Sequence, residues 1–188
     1  MFRYFLLFTL YLFSTVAFGE QKRLAVLEFR GVGVNDGLLR VLSDKVREGV
    51  LDVSKGITID GESLIIMTRE NMERILKDQG KTAEDCIGDC VVDLAKNMGA
   101  DYVISGELVM IDDLFVFTIK LHETQNSNLL AAKSLETEEK RSLLSNAQKL
   151  GTVVFQQGLN IDIESAVNPK STDDGFERGF EGGSDDDW

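Results

Sequence analysis

The sequence has very few of the residues from which metal sites are built. Among 188 residues it has one histidine and two cysteines, and it has a single proline. One histidine and two cysteines cannot supply the four ligands of a structural zinc site. We therefore expect no metal site and no cofactor.

Basic residues are also scarce, because 20 Lys and Arg stand against 32 Asp and Glu, for a net charge of −12. Proteins that bind nucleic acid neutralise phosphates with clustered Lys and Arg, and binding to anionic lipid surfaces needs the same clusters. The acidity is concentrated at residues 162–188, where only Lys170 and Arg178 are basic. The charge pattern therefore argues against nucleic acid and anionic membranes as partners.

Long hydrophobic runs are missing except near the start, at residues 4–13. That run is shorter than the roughly 20 residues that span a bilayer. Arg3 precedes it, and the small residues Ala17 and Gly19 follow at the positions of a cleavage site, which is typical of a secretory signal peptide. We expect residues 1–19 to be removed, so that a mature chain without a membrane span begins at Glu20. No cysteine lies next to the cut, which argues against attachment of a lipid there.

No catalytic signature is present. The segment from Gly31 to Gly37 joins a strand to a helix, but its third glycine comes one residue late for a dinucleotide-binding loop, so a plain turn is expected. His122 suits an exposed or rim position, and Ser105 does not lie in a nucleophile elbow. The run Asp185, Asp186 and Asp187 is read as part of a solvated tail and not as a calcium site. We expect no catalytic residues and no enzyme.

Hydrophobic periodicity predicts a single α/β domain at residues 20–161, with an acidic, Gly-rich disordered tail at 162–188. Helices between the early strands favour parallel pairing, and short polar turns between the last three strands force an antiparallel meander. The fold class is therefore α/β, a single mixed sheet of about five strands with helices packed on it. The strands are expected at residues 23–30, 63–68, 101–110, 114–122 and 129–136; the helices are expected from Asn35 or Asp36 to Gly56, from Thr68 to Gly80, from Cys90 to Gly99 and from Glu138 to Gly158. In the fourth strand, one face is expected to lie in the core, made of Phe115, Phe117, Ile119 and Leu121.

The two cysteines, Cys86 and Cys90, are predicted to form a structural disulfide, because an exported protein meets an oxidising compartment. Gly88 permits the turn that the bond needs. In the chain-entropy model such a small loop contributes about 2 kcal/mol, less any strain. The alternative is a redox-active pair at the start of a helix, but oxidoreductases carry two residues between their cysteines, and this chain has three.

The order of these elements and several short motifs resemble a known group of domains. The motifs are LAVLEF at residues 24–29, TRENMERIL at 68–76 and LAKNMGADYVISGEL at 94–108. They are similar to the small α/β domain shared by TolB amino-terminal domains, curli-secretion pore subunits (CsgG-type) and lipoprotein activators of penicillin-binding proteins. The resemblance extends over nearly all of the mature body, and it implies a bacterial envelope protein whose domain binds other proteins.

The chain also departs from each of these relatives, since no propeller repeats follow the domain and no long amphipathic hairpins interrupt it. Pore formation and Tol function are therefore not transferred. The resemblance implies an exported, non-enzymatic protein of the periplasm, of the periplasmic side of the outer membrane or of the medium, which binds an envelope protein partner through a sheet edge or a helix face. The alternatives are a small thiol-redox domain that uses Cys86 and Cys90, or a ligand-sensing domain that uses the loop from Gly31 to Gly37.

Overall fold

The computed structural model describes residues 21–81 and 90–161. Segment 1–19, Cys86 and tail 162–188 lie outside the described residues, so the expectations for them stay predictions. The described part contains seven strands and four helices. In chain order they are β1 (Lys22–Val26), β2 (Arg30–Val32), α1 (Asp36–Ser54), β3 (Thr58–Ile59), β4 (Glu62–Ile66), α2 (Arg69–Asp78), α3 (Val91–Asn97), β5 (Tyr102–Ile111), β6 (Leu114–Glu123), β7 (Leu129–Thr137) and α4 (Lys140–Leu159).

The strands form one mixed sheet in the order β3-β4-β1-β5-β6-β7. β1 pairs in parallel with β4 and β5, while β5, β6 and β7 form an antiparallel meander. Helices connect the parallel strands and short turns connect the meander, as the connection lengths require. The expected fold class is confirmed.

The helices lie on the two faces of this sheet. One core packs α1 and α4 against the face that carries Leu24 and Val26 of β1, and a second core packs α2 and α3 against the face that carries Ala25. The predicted core side of β6 is confirmed, because its four apolar residues are at most 4% exposed: Phe115, Phe117, Ile119 and Leu121.

The helix boundaries follow local sequence signals. The Asn35 side chain accepts a hydrogen bond from the Leu38 N–H at 2.9 Å, and the Thr68 hydroxyl accepts one from the Asn71 N–H at 3.2 Å. Each side chain satisfies a backbone donor that the first helical turn leaves unpaired. After α3, Gly99 has a φ of +73°, the left-handed conformation in which glycine commonly ends a helix.

α1 and α4 approach so closely that glycine is needed on both. A Cβ on Gly151 would lie 2.6 Å from the Val46 carbonyl oxygen, and a Cβ on Gly49 would overlap the Gln148 carbonyl oxygen. The Thr152 hydroxyl uses this proximity to donate a hydrogen bond to the Gly49 carbonyl at 3.0 Å. Backbone contact therefore fixes the crossing of these two helices.

Two short strands were not expected. The expected strand at residues 23–30 is divided into β1 and β2, and Gly31 lies within β2 instead of in a plain turn. β2 exists because β5 is long enough to pair with β1 at one end and with β2 at the other. β3 forms a hairpin with β4 through Asp60 and Gly61, which both have positive φ values.

Candidate functional site

The strongest candidate surface lies on the sheet face opposite α1 and α4, near the turn between β5 and β6. There Val32 is 60% exposed and Ile111 is 58% exposed. Exposed large apolar residues that lie singly need no explanation, but neighbouring ones point to an interaction site. Strand register decides whether these two residues are neighbours.

The register brings four apolar residues from three strands together. Val109 pairs with Val32 on one side and with Val116 on the other. Because side chains alternate along a strand, Ile111 projects from the same face as Val109. We call these four residues the valine patch: Val32, Val109, Ile111 and Val116.

The surroundings of the valine patch are acidic. Asp112 and Asp113 form the two-residue turn between β5 and β6, directly after Ile111. Glu107 precedes Val109 by two residues on β5 and therefore lies on the same face. Glu136 of β7 pairs with Val116. These four acidic residues are exposed, and Arg30, which pairs with Glu107, is the basic residue among them. An apolar centre with a charged rim is typical of a protein–protein interface.

A sheet edge is one of the two surfaces expected to bind a partner, the other being a helix face, and the edge formed by β7 is protected. β7 is the edge strand at the meander end of the described sheet, and β3 is the edge strand at the other end. Its pairing with β6 is irregular near Leu121 and His122, and Lys133 lies in its middle. Bulges and lysines are features with which proteins protect an edge from pairing with other chains.

A cavity of about 390 Å³ lies on the same face, beside α3. Ser105 from β5 and His122 from β6 both contribute to its wall; the other lining residues are Val91, Val92, Asp93, Lys120 and Ser127. In the described part of the chain no hydrogen bond joins Ser105 to His122, so they do not form a nucleophile and base pair. His122 is half-buried, and burial, followed by the charge of Lys120, lowers its pKa.

A charged cluster joins α1 to α2 at the carboxyl ends of β1 and β4. Asp44 accepts hydrogen bonds from Arg69 at 2.8 and 3.2 Å and from Arg47 at 2.6 Å, and Glu28 lies 3.0 Å from Arg69. Arg47 also donates to the Val26 carbonyl at 2.7 Å. Burial, followed by the nearby charge of Arg69, lowers the pKa of Arg47. Two acidic groups balance the charge of two basic groups here, so the cluster has a structural role and links α1 to α2.

The loop from Gly31 to Gly37 contains no cradle for a phosphate. A Cβ on Gly31 would overlap the Val34 side chain and lie 2.9 Å from the Leu39 side chain. The Asn35 side chain occupies the first turn of α1. The loop therefore packs against its own neighbours.

Cys90 directly precedes α3, whereas Cys86 lies outside the described residues, so the disulfide stays a prediction. Within residues 21–81 and 90–161, no cluster of three or more His, Cys, Asp and Glu side chains is arranged to hold a metal ion. Of the helices described, none has the length and apolar character required to cross a membrane.

No protein-family model matches this chain, and no curated protein sequence matches it. Among solved structures, it is similar to the LpoB C-terminal domain from Salmonella enterica, with 13% identity over 70% of this chain and 92% of that chain and a TM-score of 0.45. It is also similar to the lipoprotein GNA1162 from Neisseria meningitidis, with 13% identity over 62% of this chain and 80% of that chain and a TM-score of 0.48. A third similar structure is TolB from Acinetobacter baumannii, with 13% identity over 73% of this chain and 28% of that chain and a TM-score of 0.43.

Proposed function

We propose that this chain is an exported, non-enzymatic protein of the bacterial envelope that acts by binding another envelope protein through the valine patch. Export is inferred from the signal-peptide pattern of residues 1–19, and the envelope setting from the sequence resemblance. The observation that carries the binding role is the exposure of Val32 and Ile111 on one sheet face, where Val109 and Val116 lie beside them.

The acidic rim defines the kind of partner. The partner has an apolar depression that receives Ile111 and Val32, with Lys or Arg side chains around it to meet Glu107, Asp112, Asp113 and Glu136. Opposite charges at the rim of an interface accelerate association and select among partners. Burial of the apolar centre supplies the affinity.

Site-specific photo-crosslinking in intact cells tests this proposal. A photoreactive phenylalanine analogue replaces Ile111 in one variant and Leu129 in the other. Leu129 is a matched control, because it is 55% exposed and projects beside His122 at the far end of the same face. We expect one discrete crosslinked protein from position 111 and none from position 129.

Two outcomes would contradict the proposal. One is the same crosslinked protein from both positions, and the other is no crosslinked protein from position 111 when the variant is exported and folded. Mass spectrometry of the crosslinked species identifies the partner, so that binding can then be measured with purified proteins.

A further inference from the structure

We propose that the cavity beside α3 binds a small zwitterion of the α-amino acid class. The cavity lies on the same sheet face as the valine patch, nearer to the beginning of β5. Val103 pairs with His122, and Ser105 pairs with Lys120. α3 buries Val103 completely but leaves Ser105, Lys120 and His122 accessible along its side.

The polar groups of this cavity have no partners within the described part of the protein. The side chains of Ser105, which is half-buried, and of Lys120 and Asp93, which are exposed, take part in none of the hydrogen bonds and ion pairs found among residues 21–81 and 90–161. The His122 Nδ1 atom is inaccessible to solvent and has no hydrogen-bond partner among those residues. Buried polar groups without partners are rare in folded proteins, and each one needs a specific explanation.

The charges on the walls select a ligand that carries both signs. Lys120 on β6 suits a carboxylate, and Asp93 on α3 suits an ammonium group. A ligand with only a negative charge would leave Asp93 without a partner of opposite charge, and a ligand with only a positive charge would leave Lys120 without one. The Ser105 hydroxyl can donate and accept hydrogen bonds to the same ligand. The imidazole of His122, which burial favours in the neutral form, reaches the cavity only through Nε2, because Nδ1 is buried; Nε2 donates or accepts according to the tautomer.

Size and apolar lining support the same class. The volume of about 390 Å³ lies in the range of about 300–1,000 Å³ that is common for small-molecule sites. Val91 and Val92 add an apolar wall, against which a short aliphatic side chain can pack. A free α-amino acid supplies the carboxylate, the ammonium group and that side chain in one molecule.

NMR titration of the complete mature chain provides the test, because its single histidine gives an unambiguous probe. The probes are L-alanine, L-leucine and L-glutamate, with propionate and ethylamine as compounds that carry only one of the two charges. We expect at least one of the amino acids to shift the His122 ring resonance saturably, with a Kd at least about tenfold lower than that of either single-charge compound.

Substitutions in the cavity separate this proposal from unspecific binding. Lys120→Met and Asp93→Asn should each raise the Kd by about tenfold or more. Lys133→Met is the matched control, since Lys133 pairs with the core residue Ile119 and projects from the opposite face of the sheet, so its Kd should equal that of the wild type. If no amino acid moves the His122 resonance saturably, or if Lys120→Met binds as tightly as the control, the proposal is wrong.

Discussion

His122 couples the stability of this fold to pH. Its pKa is lowered from an ordinary value of 6.5 by burial and by Lys120. Between the lowered pKa and 6.5 the unfolded chain therefore binds more protons than the folded chain, and the free energy of unfolding falls as the pH falls. This contribution is complete above about pH 6.5 and is lost below that value.

We predict that His122→Gln flattens the dependence of stability on pH between about pH 7 and pH 5, because glutamine does not titrate. The measurement is urea unfolding of the wild type and the variant at several pH values. His122 is the only histidine in the chain, so no other imidazole contributes to the difference. Parallel curves for the two proteins would show that burial does not disfavour the charged imidazole.

Cys86 and Cys90 are predicted to form a structural disulfide. Protein isolated from the envelope should resist alkylation until it is reduced, and it should not reduce insulin catalytically. Replacement of both cysteines by serine should lower stability by about 2 kcal/mol and leave partner binding intact. Two free thiols in the isolated protein would contradict the pairing, and steady insulin reduction would favour the thiol-redox alternative.

At the level of helices, the contact between α1 and α4 is the least tolerant of added volume. We predict that Gly49→Ala lowers the free energy of unfolding by about 1–3 kcal/mol, because its Cβ would overlap the Gln148 carbonyl and push the helices apart. The measurement is chemical unfolding followed by circular dichroism.

Gly37→Ala is the control, because Gly37 also lies in α1 but its Cβ would meet only the Asn35 side-chain oxygen, at 3.3 Å. Alanine is favoured over glycine within a helix by roughly 0.5–1 kcal/mol, which offsets a small shift of the Asn35 side chain, so this variant should lose much less stability than Gly49→Ala. Equal changes of stability in the two variants would mean that the close approach of α1 and α4 does not determine the effect.

Local signals made the long elements predictable from the sequence. The repeat of Leu42, Val46 and Val50 identifies one side of α1, and the side chains of Asn35 and Thr68 cap the helices that they were expected to cap. β2 had no such signal, since its three residues are exposed and it forms because β5 offers a partner. β3 did have one, because Asp60-Gly61 is a dipeptide typical of tight hairpins.

The candidate sites depended on contacts that the sequence does not encode locally. Val32 joins Val109 only because β2 aligns with the far half of β5. Ser105 and His122 are 17 positions apart in the sequence, and their common cavity follows from the register of β5 with β6 and from the position of α3. The valine patch and the cavity beside α3 therefore both arise from strand pairing between distant parts of the sequence, which residue types alone do not reveal.

For the whole molecule, the described fold is expected to be independent of the acidic tail. Residues 162–188 are rich in glycine and charge, a composition that does not offset the entropy of ordering. We predict that deletion of this segment leaves the Tm almost unchanged, as measured by calorimetry. A decrease of several degrees would instead mean that Phe176, Phe180 or Trp188 packs on the domain.

The central claim is that the molecule acts by binding a partner through the valine patch. The most direct measurement is calorimetric titration of the crosslinked partner, once purified, with the wild type, Ile111→Ser and Leu129→Ser. Both substitutions exchange an exposed apolar side chain for the same polar one, so they differ only in position. We predict that Ile111→Ser raises the Kd by about tenfold or more while Leu129→Ser binds like the wild type; a folded Ile111→Ser protein that binds with the affinity of the wild type would contradict the claim.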